Sequence, residues 1–472
     1  MTALTFSRKN ASLLILCFLV SAIIWFLPEP QGVSTQAWHL FAIFIFTVLG
    51  VVTKPMPIGT IAFIGLMLVT LTKTLSFDEA FTGFSNNIVW LIVFAFFIAR
   101  GFIETGLGFR IAYHLMNLMG KSTLGMGYGL IATDFLLSSA IPSLTARTGG
   151  VLFPLLNSLC KAFGSEPHSH PRKVGAFLFV TVFQGSVITS GIFLTAMAGN
   201  PMIADLAEQF GITIGWGKWA AAAIVPGIIS LIVVPYFIYK VYPPEQKETP
   251  DAKKYATKKL KEMGKITPAE WIMLLVFVLL IVLWAGAKVV GIHPAVTAMV
   301  GLSLLLLSKV ISWDDITSEK GAWNILVWFS VLLMMAAFLT KLGFMTWFSE
   351  LVMSHLQGMN WVLGFSILFL VYFYSHYFFA SNAAHIGAMF LPFLVLATAM
   401  GTPPVLAVFS LAFASSLFGG ITHYGCGPAP IFFGAGYVKI ADWWKLGFYI
   451  SVINIIIWIG IGSLWWKLIG LY

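Results

Sequence analysis

From residue 36 to residue 53 the chain carries no Asp, Glu, Lys or Arg. A helix of about 17 to 25 such residues crosses the hydrocarbon core of a bilayer. Runs of comparable length, with few charges or none, recur near 11–27, 56–72, 86–104, 175–198, 216–241, 269–291, 293–311, 321–341, 405–422 and 446–466. Backbone polar groups in hydrocarbon need partners inside their own segment, so runs of this kind are helical. The pattern predicts an all-α, polytopic membrane protein with about eleven transmembrane helices. Composition agrees: 59% of residues are hydrophobic and 10% charged, which no soluble domain shows. The run 11–27 follows Arg8 and Lys9 and ends in "PEPQG" rather than a small-residue cleavage site, and it reads as a retained first span. Cys17, Cys160 and Cys426 are scattered and suggest neither a disulfide framework nor a metal cluster, and no cofactor is expected. The net charge of +9 sits mostly in short loops, as topology alone requires, so the expected surroundings are lipid and no nucleic acid.

Two regions break the count. Residues 124–160 and 361–400 are each apolar on both sides of a polar interruption, which suits a re-entrant hairpin of two short helices. Arg8, Lys9, Lys54, Arg110, Lys121, Lys161, Arg172 and Lys173 all fall in loops on one side, which predicts a cytoplasmic N-terminus and an outside C-terminus. Residues 243–268, the only long charged stretch, return to that side and read as a solvated linker between halves. The halves resemble each other: "FIETGLGF" (102–109) matches "FLTKLGF" (338–344), "SFDEAF" (76–81) echoes "SWDDIT" (312–317), and Ser143 to Pro154 matches Ser381 to Pro392. An odd number of spans plus a hairpin in the first copy starts the second from the opposite face, which makes the repeats inverted. The expected organisation is an extra N-terminal span (1–35), a first repeat (36–242) with hairpin 124–160, the cytoplasmic linker, and a second repeat (269–472) with hairpin 361–400.

A hairpin tip in mid-membrane survives only where it lines protein or a cavity, and the start of its second arm exposes unpaired N–H groups that favour anions. Ser143 and Ser381 are good N-cap residues there, while Thr145 and Asn382 can donate to a carboxylate oxygen. Leu144 and Ala383 complete the two tips. Arg147 and His385 each lie four residues after the capping serine, one turn into the second arm. An arginine at that depth is expensive and points to function, with a structural ion pair to Asp134 as the alternative. A second polar interruption follows in each half, "GSVITSGIFLTAMAGNP" (185–201) and "GGITHYGCGPAP" (419–430), as in helices unwound at mid-membrane. Ser186, Thr189, Thr422, Gly427 and Pro428 are the candidates to complete the cavity wall, or else small residues for close helix packing. No metal ligand is expected. The serines have no GxSG, HExxH or paired intramembrane aspartates beside them, so a hydrolase is not expected.

With "SLTARTGG", "SNAAHIGA" and the ending "GPAPIFFGAGYVKIADWWKLG", nearly the whole chain resembles the divalent anion:sodium symporter family. It is most similar to the citrate/succinate and tartrate/succinate exchangers and the plastid 2-oxoglutarate/malate translocators. The resemblance implies a homodimer in a bacterial inner membrane, each protomer having a scaffold and a moving transport domain that carries di- or tricarboxylate anions by an elevator motion. The family's usual tip is Ser-Asn-Thr. Here Leu144 and Ala383 remove side-chain oxygens that lie at the cation and substrate sites of sodium-coupled members, while Arg147 and His385 offer charge of their own. The resulting expectation is sodium-independent exchange, with a sodium-coupled dicarboxylate symporter as the alternative.

Overall fold

The computed structural model describes residues 7–355 and 360–472, and among these the chain is helical without a named strand. Among the described residues ten helices are long and apolar enough to cross a membrane. Eight of them coincide with expected spans; the other two, Trp361–Phe378 and Asn382–Ala399, are the arms of the second hairpin. Three expected spans are shorter: Ile58–Leu71, Pro294–Leu307 and Pro404–Gly420. Prolines set the starts of all three. The ends of the first two are followed by Lys73 and Lys309, which both take the left-handed conformation at φ 56° and 59°. At a rise of about 1.5 Å per residue, 14-residue helices such as Ile58–Leu71 and Pro294–Leu307 fall short of a bilayer core of about 30 Å.

The repeats agree in detail. Past each left-handed lysine a serine closes a capping box, Ser76 with Glu79 and Ser312 with Asp315. The second arms also share a feature that hydropathy does not reveal: a five-residue π-helix at Thr148–Leu152 in one and Ile386–Phe390 in the other. Single π turns inside α-helices tend to occur at functional sites.

Two packing groups follow from the contacts. Helices Arg8–Phe26, Thr35–Thr53, Ile58–Leu71, Asn87–Thr105, Pro268–Ala285, Pro294–Leu307 and Lys320–Lys341 pack on one another. The first hairpin, Trp216–Val241 and Pro404–Leu417 pack on Gly175–Ile192, every residue of which is buried; the second hairpin packs on Pro404–Leu417 and the C-terminal helices on Trp216–Val241. The linker is more ordered than a solvated connector. It forms the helix Asp251–Met263, which buries Ala252 and Ala256 against the helix Leu107–Met119, and Tyr255 meets Ser158 at 2.5 Å. Across the halves, Arg110 holds Glu270 through two bonds, Nε to Oε1 at 2.6 Å and Nη2 to Oε2 at 3.0 Å.

Candidate functional site

The first hairpin descends from Thr123–Ser138 into "SAIPS", where Pro142 cannot continue a helix, and restarts at Leu144. Ser143 caps the restart by accepting from the Ala146 N–H at 3.1 Å. In the second hairpin Ser381 does the same for the Ala384 N–H at 3.4 Å. Both serines therefore act as N-caps.

Each tip is tied to an unwound segment. Helix Gly175–Ile192 gives way to a short 3-10 turn, Leu194–Ala196, before Gly199–Glu208 begins. The break is narrower than the polar stretch 185–201, so Ser186 and Thr189 lie in intact helix, not in the unwound part. In the second repeat Pro404–Leu417 ends in the turn Phe418–Gly420 and the chain is irregular until Ala429–Gly434. Thr422 and Gly427 lie in that irregular stretch, and Pro428 stands just before the new helix.

The tips then meet across the pseudo-symmetry. A Cβ added to Gly427 would come within 2.1 Å of Thr145 Oγ1, so the second repeat's loop touches the first hairpin's tip. Asn382 donates through Nδ2 to the Ser415 carbonyl at 2.9 Å and approaches Met197 Sδ of the first repeat at 3.6 Å. Gln184 donates to the Gly420 carbonyl at 2.9 Å. On this shared face Thr145 and Gly427 are exposed, Ser143, Ser381 and Ala383 are half-buried, and Leu144 and Asn382 are buried.

Two expected substrate contacts are committed elsewhere. Arg147 is fully buried: Nε donates to Asp134 Oδ1 at 3.0 Å, and Nη1 donates to the carbonyls of Ile141 and Ala196 at 2.5 Å each. Asp134 in turn accepts from Thr189 Oγ1, which uses that hydroxyl. The guanidinium therefore bridges the first tip and its unwound segment, with its charge balanced inside the chain. His385 is also fully buried, its ring stacked on Phe379 and Phe418 with centroids 4.4 Å away in both cases. Its Nδ1 is 2.9 Å from Nδ1 of His376, whose Nε2 is 2.7 Å from the Gly425 carbonyl. A carbonyl only accepts, so His376 Nε2 carries the proton and, in the neutral ring, His376 Nδ1 accepts from His385.

Four buried polar atoms in this region have no partner among the described residues: Arg147 Nη2, Ser186 Oγ, Asn382 Oδ1 and Thr422 Oγ1. All four belong to residues that sequence patterning had selected. What patterning missed is the supporting layer of Gln184, Thr195, Met197, Asn200 and His376. Thr195 bonds the Ser139 carbonyl, and Asn200 Nδ2 donates to the carbonyls of Ser190 at 2.7 Å and Phe193 at 2.9 Å. Thr195 and Asn200 stand in the quoted polar stretch 185–201 and were within reach. His376 has Ser138 at the equivalent place in the first repeat, so the internal repeat gave no sign of it.

The family described as "Sodium:sulfate symporter transmembrane region" matches residues 7–472. A relative from Bacillus subtilis, "Putative malate transporter YflS", is 53% identical over 461 residues, covering 97% of this chain and 96% of the relative. "Dicarboxylate transporter 1, chloroplastic" of Spinacia oleracea is 52% identical over 97% of this chain and 81% of its own length. Among solved structures, the Alcanivorax borkumensis YdaH transporter is similar in fold, with a TM-score of 0.56 at 14% identity, covering 99% of this chain and 98% of that one.

Proposed function

The chain belongs to the divalent anion:sodium symporter family, and from that premise we propose that it exchanges small dicarboxylate anions across the membrane without sodium. It is a transporter and not an enzyme. The substrate class is supported by relatives named for malate and dicarboxylates; tricarboxylates such as citrate belong to the same proposal.

The observation that carries sodium independence is the place of Arg147. A sodium ion between a hairpin tip and an unwound segment would need oxygen ligands, chiefly backbone carbonyls and carboxylates. Here the carbonyls of Ile141 and Ala196 and the carboxylate of Asp134 all accept from one guanidinium. The arginine thus neutralises the oxygens that a mobile cation would hold, and Leu144 adds no oxygen. In the second repeat the His376 ring takes the Gly425 carbonyl in the same manner.

In this arrangement Arg147 and His385 stiffen the tips from behind, Asn382 ties the second tip to the Ser415 carbonyl, and the substrate's carboxylates meet Ser143, Thr145, Ser381 and the N–H groups of the two restarted helices. Exchange is supported by the unpartnered hydroxyl donors of Ser186 and Thr422. In transit the site is sealed from water, and each buried donor left unmade costs about 1–3 kcal/mol. A bound dianion, which accepts, removes part of that cost, so the loaded carrier crosses more readily than the empty one.

The same reading includes a homodimer in a bacterial inner membrane, with the N-terminus cytoplasmic, the first packing group as scaffold, and the hairpin-bearing group as the moving body. Counterflow tests it: purified protein in liposomes preloaded with unlabelled malate should accumulate labelled malate, and empty liposomes should stay near background. Rapid net uptake into empty liposomes would contradict exchange.

A further inference from the structure

Between the helices Thr35–Thr53 and Ile58–Leu71 the chain turns on Lys54, which takes the left-handed conformation at φ 51° and precedes Pro55 and Pro57. Residues other than glycine enter that region uncommonly. The Lys54 ammonium donates to the Ala380 carbonyl at 3.3 Å, on the residue just before the capping Ser381. Beside this bond Val51 and Ile61 from the corner pack with Phe379 and Ala384 from the second hairpin, in a small apolar cluster separate from the main core. Val52, Met56 and Ala388 pack against it. The second hairpin's tip is therefore seated on the corner by one charged hydrogen bond and a few apolar contacts.

Lys54 is exposed in part and its partner is the Ala380 carbonyl, where the buried Arg147 has Asp134 and Arg110 has Glu270; the partial burial pushes the Lys54 ammonium's pKa down. The equivalent corner of the second repeat leads into Pro294–Leu307. There Gly291 makes the left-handed turn at φ 69°, Val290 stands at the position corresponding to Lys54, and His293 spends its Nδ1 on the Ala295 N–H at 3.2 Å. On the proposed topology the Lys54 corner lies at the cytoplasmic end of the scaffold, and the second hairpin enters from the outside. Its tip reaches that corner when the moving body is displaced inward.

We propose that Lys54 is an inner latch, a scaffold ammonium that holds the second hairpin's tip in the inward-facing position. This rests on the reading of a hairpin-bearing body that moves against a scaffold. A latch at one end biases the carrier toward that end, and the apparent affinity at each face scales with the fraction of carriers facing it. Loss of the latch then raises the half-saturating concentration inside and lowers it outside.

The test uses the full chain in liposomes of known orientation, with malate as probe. Lys54→Gln should lower the half-saturating concentration on the outside and raise it on the inside, by about threefold or more each, at an unchanged melting temperature. Lys54→Arg should stay near the parent, because a guanidinium also donates to the carbonyl. A rise confined to the inside face would make Lys54 a substrate contact, and no change at either face would make it corner packing; both overturn the latch. A second readout needs no transport. Disulfide formation between Val52→Cys and Ala388→Cys, two positions lining the seat, should slow severalfold when Lys54→Gln is added and not when Lys54→Arg is added. Equal rates in all three backgrounds overturn the latch even if the exchange reading itself fails.

Discussion

Arg147 Nε donates to Asp134 Oδ1 at 3.0 Å, and neither side chain has any exposed surface. The pair stands one turn behind the first hairpin's tip and ties it to the unwound segment through the Ala196 carbonyl. Removing one member of a buried pair leaves an uncompensated charge, at a cost of about 3–5 kcal/mol. Arg147→Gln and Asp134→Asn should each lower the melting temperature in detergent and abolish counterflow. The double variant Arg147→Leu with Asp134→Leu should recover much of the stability, since apolar replacement of a buried pair is often neutral. It should not recover transport, because the carbonyls of Ile141 and Ala196 would lose their cation. Recovery of both would reduce the pair to packing.

The capping serines give a graded prediction. Loss of an N-cap costs about 1 kcal/mol, and the Ser143 bond at 3.1 Å is shorter than the Ser381 bond at 3.4 Å. Ser143→Ala should therefore destabilise the protein more than Ser381→Ala, while both weaken substrate binding. The comparison needs melting curves with and without malate. Wild-type binding in either variant would mean that the hairpin contributes backbone N–H groups alone.

Gly427 tests the contact between repeats. Gly427→Ala would place a methyl within 2.1 Å of Thr145 Oγ1, an overlap that must displace the first tip. The variant should lose most transport. Adding Thr145→Ala removes Oγ1 and leaves the Thr145 Cβ at 3.5 Å from the new methyl, an ordinary contact. The double variant should regain the parent's melting temperature. If it does not, the close approach of loop and tip is not what Gly427 serves.

The hydropathy runs, the paired polar breaks and the internal repeat gave the helical membrane fold and the two hairpins, because each follows from local chemistry that hydrocarbon enforces. Ser143 and Ser381 were readable as caps for the same reason. Span lengths were less legible: the run 293–311 stops as a helix at Leu307, ahead of the left-handed Lys309. The π-helices after Arg147 and His385 have no periodic signature. The Arg147–Asp134 pair was legible as the alternative to a substrate contact, whereas the Ala196 carbonyl, 49 residues away in the unwound segment, and His376, absent from the first repeat, were not. Sequence alone placed Arg147 and His385 beside the tips, but only packing shows that both are fully buried.

The most direct measurement is labelled malate uptake by the wild-type protein in liposomes preloaded with unlabelled malate, compared between sodium and choline buffers of equal ionic strength. If Arg147 and His376 hold the carbonyls that sodium would otherwise hold, the two rates are equal. Uptake that collapses in choline and returns with added sodium contradicts the account.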